Sequence, residues 1–119
     1  MNKPYDICER TFQFALAILQ LCQRFERQRS SATWTIGRQI LRSATSIGAN
    51  VEEAQGAQSQ ADFVSKYSIA RKETRETRYR LRLLLAGSIV TPEDGQSLLH
   101  ESEELLRILT AIIKKVRQK

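Results

Sequence analysis

The sequence contains few of the residues that interrupt helices. Its 119 residues include only 2 prolines and 5 glycines, which disfavours folds built from many short strands and tight turns. No apolar run approaches the roughly 20 residues that a membrane-spanning helix needs. Charged residues within the first turns also leave no uninterrupted core for a signal peptide. We therefore expect residues 1–119 to form one soluble, cytoplasmic, all-α domain.

Residues that commonly carry catalysis or bind metals are scarce as well. The chain has 1 His and 2 Cys, and Cys8 and Cys22 are separated by roughly 21 Å along one predicted helix, too far for a disulfide within a subunit. No phosphate-binding glycine loop, HExxH, CxxC or Glu-x-x-His motif is present. A carboxylate pair between Glu53 and Glu76 is conceivable, although such groups more often satisfy backbone or Arg donors. The sequence predicts no enzyme, no metal site and no cofactor.

Hydrophobic periodicity predicts four helices, at about residues 5–27, 33–57, 60–86 and 92–116. The third has the most regular core stripe, in which apolar and small residues alternate at spacings of four and three. Two threonines in its middle indicate contact with a polar edge of the second helix or a thin wet layer. The stripe consists of Phe63, Tyr67, Ala70, Thr74, Thr77, Leu81 and Leu84. Short connections favour an antiparallel up-down-up-down four-helix bundle.

Capping residues mark the ends of three of these helices. Gly56 suits a left-handed cap for the second helix, and Ser59 an N-cap for the third, with Asp62 in the capping-box position. Thr91 and Pro92 suit the N-cap and first position of the fourth helix.

The first and fourth helices carry more apolar surface than one bundle core needs. Exposed apolar patches of this extent are rare in monomers, so we expect homo-oligomerisation through these two helices. The alternative is that loop ends cover the side chains or that they stay exposed. The surplus residues are Phe12, Leu16, Leu19, Leu99, Leu106 and Ile113.

The net charge of +6 is unevenly distributed. Residues 92–113 contain five acidic residues and one basic residue, a balance of −4. Residues 61–86 contain seven basic and three acidic residues, and residues 114–119 contain four basic ones, so each segment has a balance of +4. The excess positive charge is therefore on the third helix and the tail.

Four arginines form a row on the third helix. Spacings of four, three and four place them within an arc of about 60°, where they could contact phosphates along a nucleic-acid backbone without reading bases. Alternatively, the row is solvated or pairs with Glu52, Glu53 or the acidic fourth helix. The row is Arg71, Arg75, Arg78 and Arg82, and the basic tail adds Lys114, Lys115, Arg117 and Lys119.

The segments 40–54, 68–73 and 75–84 closely resemble the bacterial four-helix bundle proteins, also called 23S rRNA intervening-sequence proteins. The resemblance covers nearly the whole chain and is strongest from about residue 36 to 85. Eight residues match the family pattern: Arg42, Ser46, Asn50 and Glu53 in helix two, and Phe63, Ala70, Glu76 and Leu81 in helix three. The chain departs from it at Ala54, where many members have Gly, and in its more basic third helix.

This resemblance implies a left-handed up-down bundle that assembles into a homopentamer and has no established catalytic activity. Relatives associated with retroelement reverse transcriptases look like basic pentamers that bind nucleic acid. Two hypotheses follow: a non-catalytic oligomeric scaffold that binds RNA or DNA, and a protein-interaction adaptor whose arginines serve subunit interfaces and ion pairs. A third is an enzyme subunit that acts only beside an unidentified protein partner.

Overall fold

The computed structural model of the chain describes residues 6–25 and 30–118. Within these ranges it is all-α, with four helices and no strand: α1 (Ile7–Phe25), α2 (Ser31–Gln55), α3 (Gln60–Ala86) and α4 (Pro92–Arg117). The bounds of α3 agree with those predicted, α4 extends one residue further, and α2 begins and ends two residues earlier. Residues 5, 26 and 27 of the first predicted helix lie outside the described residues.

Polar side chains cap the starts of the helices after α1. Ser30 precedes α2, and its hydroxyl accepts a hydrogen bond from the backbone N–H of Thr33, so α2 begins before the predicted start. The backbone N–H of Asp62 donates to the Ser59 hydroxyl at 3.0 Å, as predicted. Thr91 caps α4 in the same way, by accepting from the N–H of Asp94 at 3.2 Å.

The backbone turns differently after α2 and after α3, and among the described residues a positive φ occurs only after α3. Gly56, at the end of α2, has φ −100°, so the prediction of a left-handed cap there is wrong. The backbone instead turns with N–H groups bonded back to α2 carbonyls. After α3, the residue with left-handed backbone is Ser88, with φ 59°. It follows Gly87, whose N–H bonds to the carbonyl of Leu83 at 2.8 Å.

The helices enclose one core. Helix α1 packs against α2 and α4, and α3 packs against α2 and α4, whereas the described residues show no packing of α1 on α3 or of α2 on α4. All four helices contribute side chains to the core, which removes a large apolar area from water. Its largest fully buried members include Ile18, Leu21, Ile40, Ile47, Leu81, Leu84, Leu105, Leu109 and Ile113.

Two glycines allow α2 to approach α1 closely. A Cβ at Gly48 would lie 3.3 Å from Thr11 Oγ1, and one at Gly37 would lie 2.9 Å from Phe25 Cε2. Glycine in the middle of a helix costs about 1 kcal/mol relative to alanine, and this close approach gives Gly48 a packing role.

A polar layer lies inside the contact between α2 and α3. Ser43 Oγ and Thr77 Oγ1 share a hydrogen bond of 2.8 Å, and both residues are fully buried. Thr77 also donates to the carbonyl of Glu73, and Thr74 donates to the carbonyl of Ala70. The expected contact of the α3 threonines with a polar edge of α2 is thus confirmed for Thr77, while Thr74 satisfies its hydroxyl within α3.

Candidate nucleic-acid interface

The four arginines of α3 have different surroundings. Arg75 and Arg82 are exposed and make no ion pair within the described residues. Arg71 is half-buried, and its buried Nε has no hydrogen-bond partner there. Arg78 Nε lies 3.1 Å from Glu103 Oε2 of α4. The predicted alternative, neutralisation by the acidic fourth helix, therefore applies to one arginine of the row.

The basic end of α4 lies along the same side of the bundle. Gln60 Nε2 donates to the carbonyl of Val116 at 2.8 Å, which together with the Arg78–Glu103 pair sets the alignment of α3 and α4. On α4, positions 103, 107, 114 and 117 follow helical spacing, so their side chains share one side of the helix with Glu103, which contacts Arg78 of α3. Lys115 is exposed but one residue out of this row, and Lys119 lies outside the described residues.

These observations define a basic belt along the outside of the α3–α4 contact. It runs from the level of Gln60 to that of Arg82, which is about 33 Å along α3 at 1.5 Å per residue. This length is close to that of one helical turn of a nucleic-acid duplex. Its seven basic residues are partly offset by two acids, Glu103 beside Arg78 and Glu104 beside Arg107. The belt consists of Arg71, Arg75, Arg78, Arg82, Arg107, Lys114 and Arg117.

The other predicted partners of the arginine row do not reach it. Glu52 and Glu53 are exposed on α2 and make no ion pair within the described residues. The proposed carboxylate pair of Glu53 and Glu76 is also wrong, because Glu76 lies 3.1 Å from Arg42 and 3.4 Å from Arg80. The packing of α2 on α3 explains this, since the end of α2 lies beside the start of α3, well before Glu76.

Most of the family-pattern residues have structural contacts. Asn50 Nδ2 donates to the carbonyl of Ser46 at 2.9 Å, and Phe63 stacks on Tyr67 with ring centroids 4.5 Å apart. Ala70 and Leu81 are fully buried, whereas Glu53 is exposed. The contacts of Asn50 and Phe63 lie within single helices, while Ala70 and Leu81 belong to the core that joins the helices.

Arg42 joins α2 to α3 through a carboxylate that the sequence patterns did not single out. Its guanidinium lies 3.3 Å from Glu73 Oε1, and Glu73 is 6% exposed. The hydrogen bond and charge of Glu73, followed by the charge of Glu76, raise the pKa of Arg42. The signal was available: Glu73 is three residues after Ala70 and four before Thr77, a helical spacing that puts it at the edge of the core stripe.

The predicted oligomer residues of α1 line one groove. Phe12 is 58% and Leu19 38% exposed, and Leu16 is half-buried between them. They border a groove of about 630 Å³ between α1 and α2, here called the outer groove, whose lining is mainly apolar. Its walls are Cys8, Thr11, Phe12, Ala15, Leu16 and Leu19 of α1, and Leu41, Thr45, Gly48, Ala49 and Glu52 of α2.

The corresponding residues of α4 lie elsewhere. Leu99 and Leu106 are half-buried, and their spacing from Glu103 places them on the side of α4 that faces α3. They do not join the α1 residues in one surface. Ile113 is 1% exposed within the core, so its assignment to an interface is wrong. A seven-residue repeat drifts by about 20° per repeat on a straight helix, which brings position 113 into the stripe of Leu105 and Leu109.

The described residues show neither a metal-binding cluster nor a membrane-spanning helix. No group of three or more His, Cys, Asp or Glu side chains in them could hold a metal ion. None of the helices in the same ranges is long and apolar enough to cross a membrane. Cys8, in the outer groove, has a raised pKa because of burial, with further contributions from Glu52 and Asp6, so its thiol is poorly suited to act as a nucleophile.

Comparisons with known proteins identify the family of the chain and a solved structure with a similar fold. The profile of the 23S rRNA-intervening sequence protein family matches residues 3–111. A crystal structure of a protein of unknown function, from the S23 ribosomal protein family of Bacteroides thetaiotaomicron, is similar over 91% of this chain and 95% of that chain, with 40% sequence identity and a TM-score of 0.82. A search of curated proteins finds no match.

Proposed function

The chain belongs to the 23S rRNA-intervening sequence protein family, and we propose that it is a non-catalytic, oligomeric four-helix bundle that binds RNA or DNA backbones through the basic belt. The observation that carries this proposal is the belt itself: seven basic side chains against two acids over about 33 Å. Arg75, Arg82, Lys114 and Arg117 are exposed, without an acidic partner in the described residues. We assign this activity to the cytoplasm, whose reducing conditions keep a thiol such as that of Cys8 reduced.

The bundle that presents the belt is proposed to be antiparallel, in up-down-up-down order. Contacts between neighbouring helices support this order, because late residues of one helix meet early residues of the next. On α2 and α3, Gln55 bonds to Tyr67 while Arg42 bonds to Glu73. On α1 and α4, Arg10 pairs with Glu101 while Arg24 pairs with Asp94.

We further propose that the functional assembly is a homopentamer. The number five comes from the family resemblance. Association itself is supported by the outer groove, where Phe12 and Leu19 leave apolar surface exposed to water. A pentamer would also present five belts, so that one nucleic acid could engage several subunits and bind more tightly than one belt allows.

Recognition of phosphates follows from the chemistry of the belt. Guanidinium groups donate paired hydrogen bonds to phosphate oxygens, and each neutralised phosphate releases counterions, so binding weakens as salt rises. The belt contains no aromatic side chain on which a base could stack. Binding is therefore expected to depend weakly on nucleotide sequence.

The test is fluorescence anisotropy with a short labelled RNA or DNA duplex across a salt series. In Arg75→Ala/Arg82→Ala we expect roughly a tenfold or larger loss of affinity near 0.1 M salt, and a fall of about 1.5 in the slope of log K against log salt. The matched control, Arg38→Ala/Lys115→Ala, removes the same charge at exposed positions outside the belt. Equal losses in both variants, or binding that does not weaken with salt, would contradict the proposal.

The alternative is a protein-interaction adaptor in which the α3 arginines serve subunit contacts and ion pairs. The contact of Arg78 with Glu103 supports it for that residue. It predicts that changing Arg71, Arg75, Arg78 and Arg82 together to Ala breaks the assembly, as measured by size-exclusion chromatography with light scattering. The nucleic-acid proposal predicts an intact assembly that has lost its ligand.

A further inference from the structure

One row of side chains on α3 is not explained by the core or by the basic belt. Positions 69, 72, 79 and 83 follow helical spacing and form a ridge, here called the α3 ridge. Tyr79 is 59%, Leu83 42% and Ile69 37% exposed, and Lys72 on the same row is exposed as well. Tyr79 and Leu83, four residues apart, are neighbours on this row and form an apolar patch, whereas Glu76, paired with Arg42 and Arg80, separates them from Ile69.

The outer groove has the complementary shape. It is concave, mainly apolar and about 630 Å³ in volume, which is ample for several side chains of a partner helix. Amphipathic helices commonly bind in such grooves by inserting residues at spacings of three and four. The ridge presents its side chains at this spacing.

The ridge and the groove cannot meet within one chain. The groove lies between α1 and α2, and the ridge lies on α3, which does not pack against α1 within the described residues. The two surfaces are therefore on different sides of the same subunit. Each needs a partner, and a second copy of the chain supplies both.

Charge supports the same pairing. Glu52 lines the groove, and Glu9 lies on α1 three residues before Phe12. Neither makes an ion pair within the described residues. On the other side, Lys72 of the ridge is exposed, also without an acidic partner there. Opposite unmatched charges flanking the two apolar surfaces would attract the surfaces and fix their register.

We propose that the α3 ridge of one copy docks in the outer groove of the next copy. The inference rests on the proposed oligomer and assigns its interface. Because the two surfaces differ, the contact is heterologous, and repeating it generates a closed ring when the rotation between subunits closes. It differs from the interface expected from the sequence, which involves α1 and α4, because here α1 and α2 receive α3.

A mixing experiment tests this assignment. Phe12→Arg places a positive charge in the groove, and Leu83→Glu places a negative charge on the ridge. Both positions are exposed, so the fold should survive, which circular dichroism and thermal melting would check. Each variant alone is expected to run as a monomer of 13.6 kDa in size-exclusion chromatography with light scattering. Ala111→Arg, an exposed α4 position outside both surfaces, should keep the wild-type mass.

Mixing the two monomeric variants should restore one contact. The Phe12→Arg chain retains its ridge and the Leu83→Glu chain retains its groove, so the mixture should form a dimer of twice the monomer mass. A groove-to-groove contact would instead leave Leu83→Glu associated, and that result would overturn the proposal. So would a monomeric wild type, wild-type mass in both variants, or a mixture that stays monomeric. Nucleic-acid binding is measured separately with the belt variants, so a ring without RNA or DNA affinity would refute the proposed function alone.

Discussion

The contact between α2 and α3 is complete within one chain, whereas the outer groove between α1 and α2 is not. In the first, Ser43 and Thr77 are buried and share a hydrogen bond, and Arg42 covers the carboxylate of Glu73. In the second, Phe12 is 58% exposed beside a groove of about 630 Å³. Both regions involve α2, but only in the α2–α3 contact are the side chains covered by other residues of the same chain.

The difference separates folding from assembly. Side chains in the α2–α3 contact lose their surroundings when the subunit unfolds, so their removal should lower the free energy of unfolding. Side chains in the outer groove gain contacts only when another subunit binds, so their removal should lower association and leave the subunit stable. The following substitutions test this division, from the largest expected effect to the smallest.

Leu81→Ala should destabilise the subunit most. Leu81 is fully buried on α3, and truncation of such a side chain typically costs about 2–5 kcal/mol because it leaves a cavity. Phe12→Ala, in contrast, should change the stability of the subunit by no more than about 0.5 kcal/mol. Both would be measured by urea denaturation in the Leu83→Glu background, where association does not contribute. Similar losses in the two variants would remove the distinction between the regions.

Glu73→Gln should have an intermediate effect. The substitution keeps the shape but removes the charge that receives the Arg42 hydrogen bonds, at a cost of about 1 kcal/mol because Arg42 is largely exposed. Glu104→Gln is the control, since it changes an exposed pair within α4 and should cost less than about 0.5 kcal/mol. Chemical denaturation of the two variants measures the difference, and a larger loss in the control would contradict the role assigned to Glu73.

The smallest expected effect concerns the thiol of Cys8. Burial, and then Glu52 and Asp6, raise its pKa, and the thiolate is the reactive form. Glu52→Gln removes one negative neighbour and should lower the pKa, so alkylation near pH 8 should become faster by a small factor. Measured in a Cys22→Ser background, Leu83→Glu should also speed labelling, because the groove would no longer be covered. Slower alkylation in Glu52→Gln would contradict the electrostatic explanation.

Much of the architecture follows from local patterns. Ser59 and Thr91 cap the helices that their side chains predict, and the regular stripe from Tyr67 to Leu84 is buried. These features depend on residues within a few turns of one another, so sequence spacing suffices. Glu73 was missed because a carboxylate at the edge of a stripe becomes buried only when Arg42, 31 residues earlier, lies opposite.

The candidate sites depended more on contacts between helices. Spacing placed Arg71, Arg75, Arg78 and Arg82 on one side of α3, but only the alignment of α3 and α4 brings Glu103 to Arg78 and sets Lys114 and Arg117 beside the row. The surplus apolar residues were identified as one group. The structure divides them among the outer groove, the α3 side of α4 and, for Ile113, the core.

The sequence by itself determined the four helices, the N-caps Ser59 and Thr91, the basic third helix and the family. These properties arise from side chains close together along the chain, where periodicity and local hydrogen bonding decide the outcome. The tertiary structure decided which apolar residues remain uncovered and which arginines have acidic partners. Both depend on the relative rotation and alignment of packed helices, which a helical repeat of 3.6 residues leaves undetermined until the helices meet.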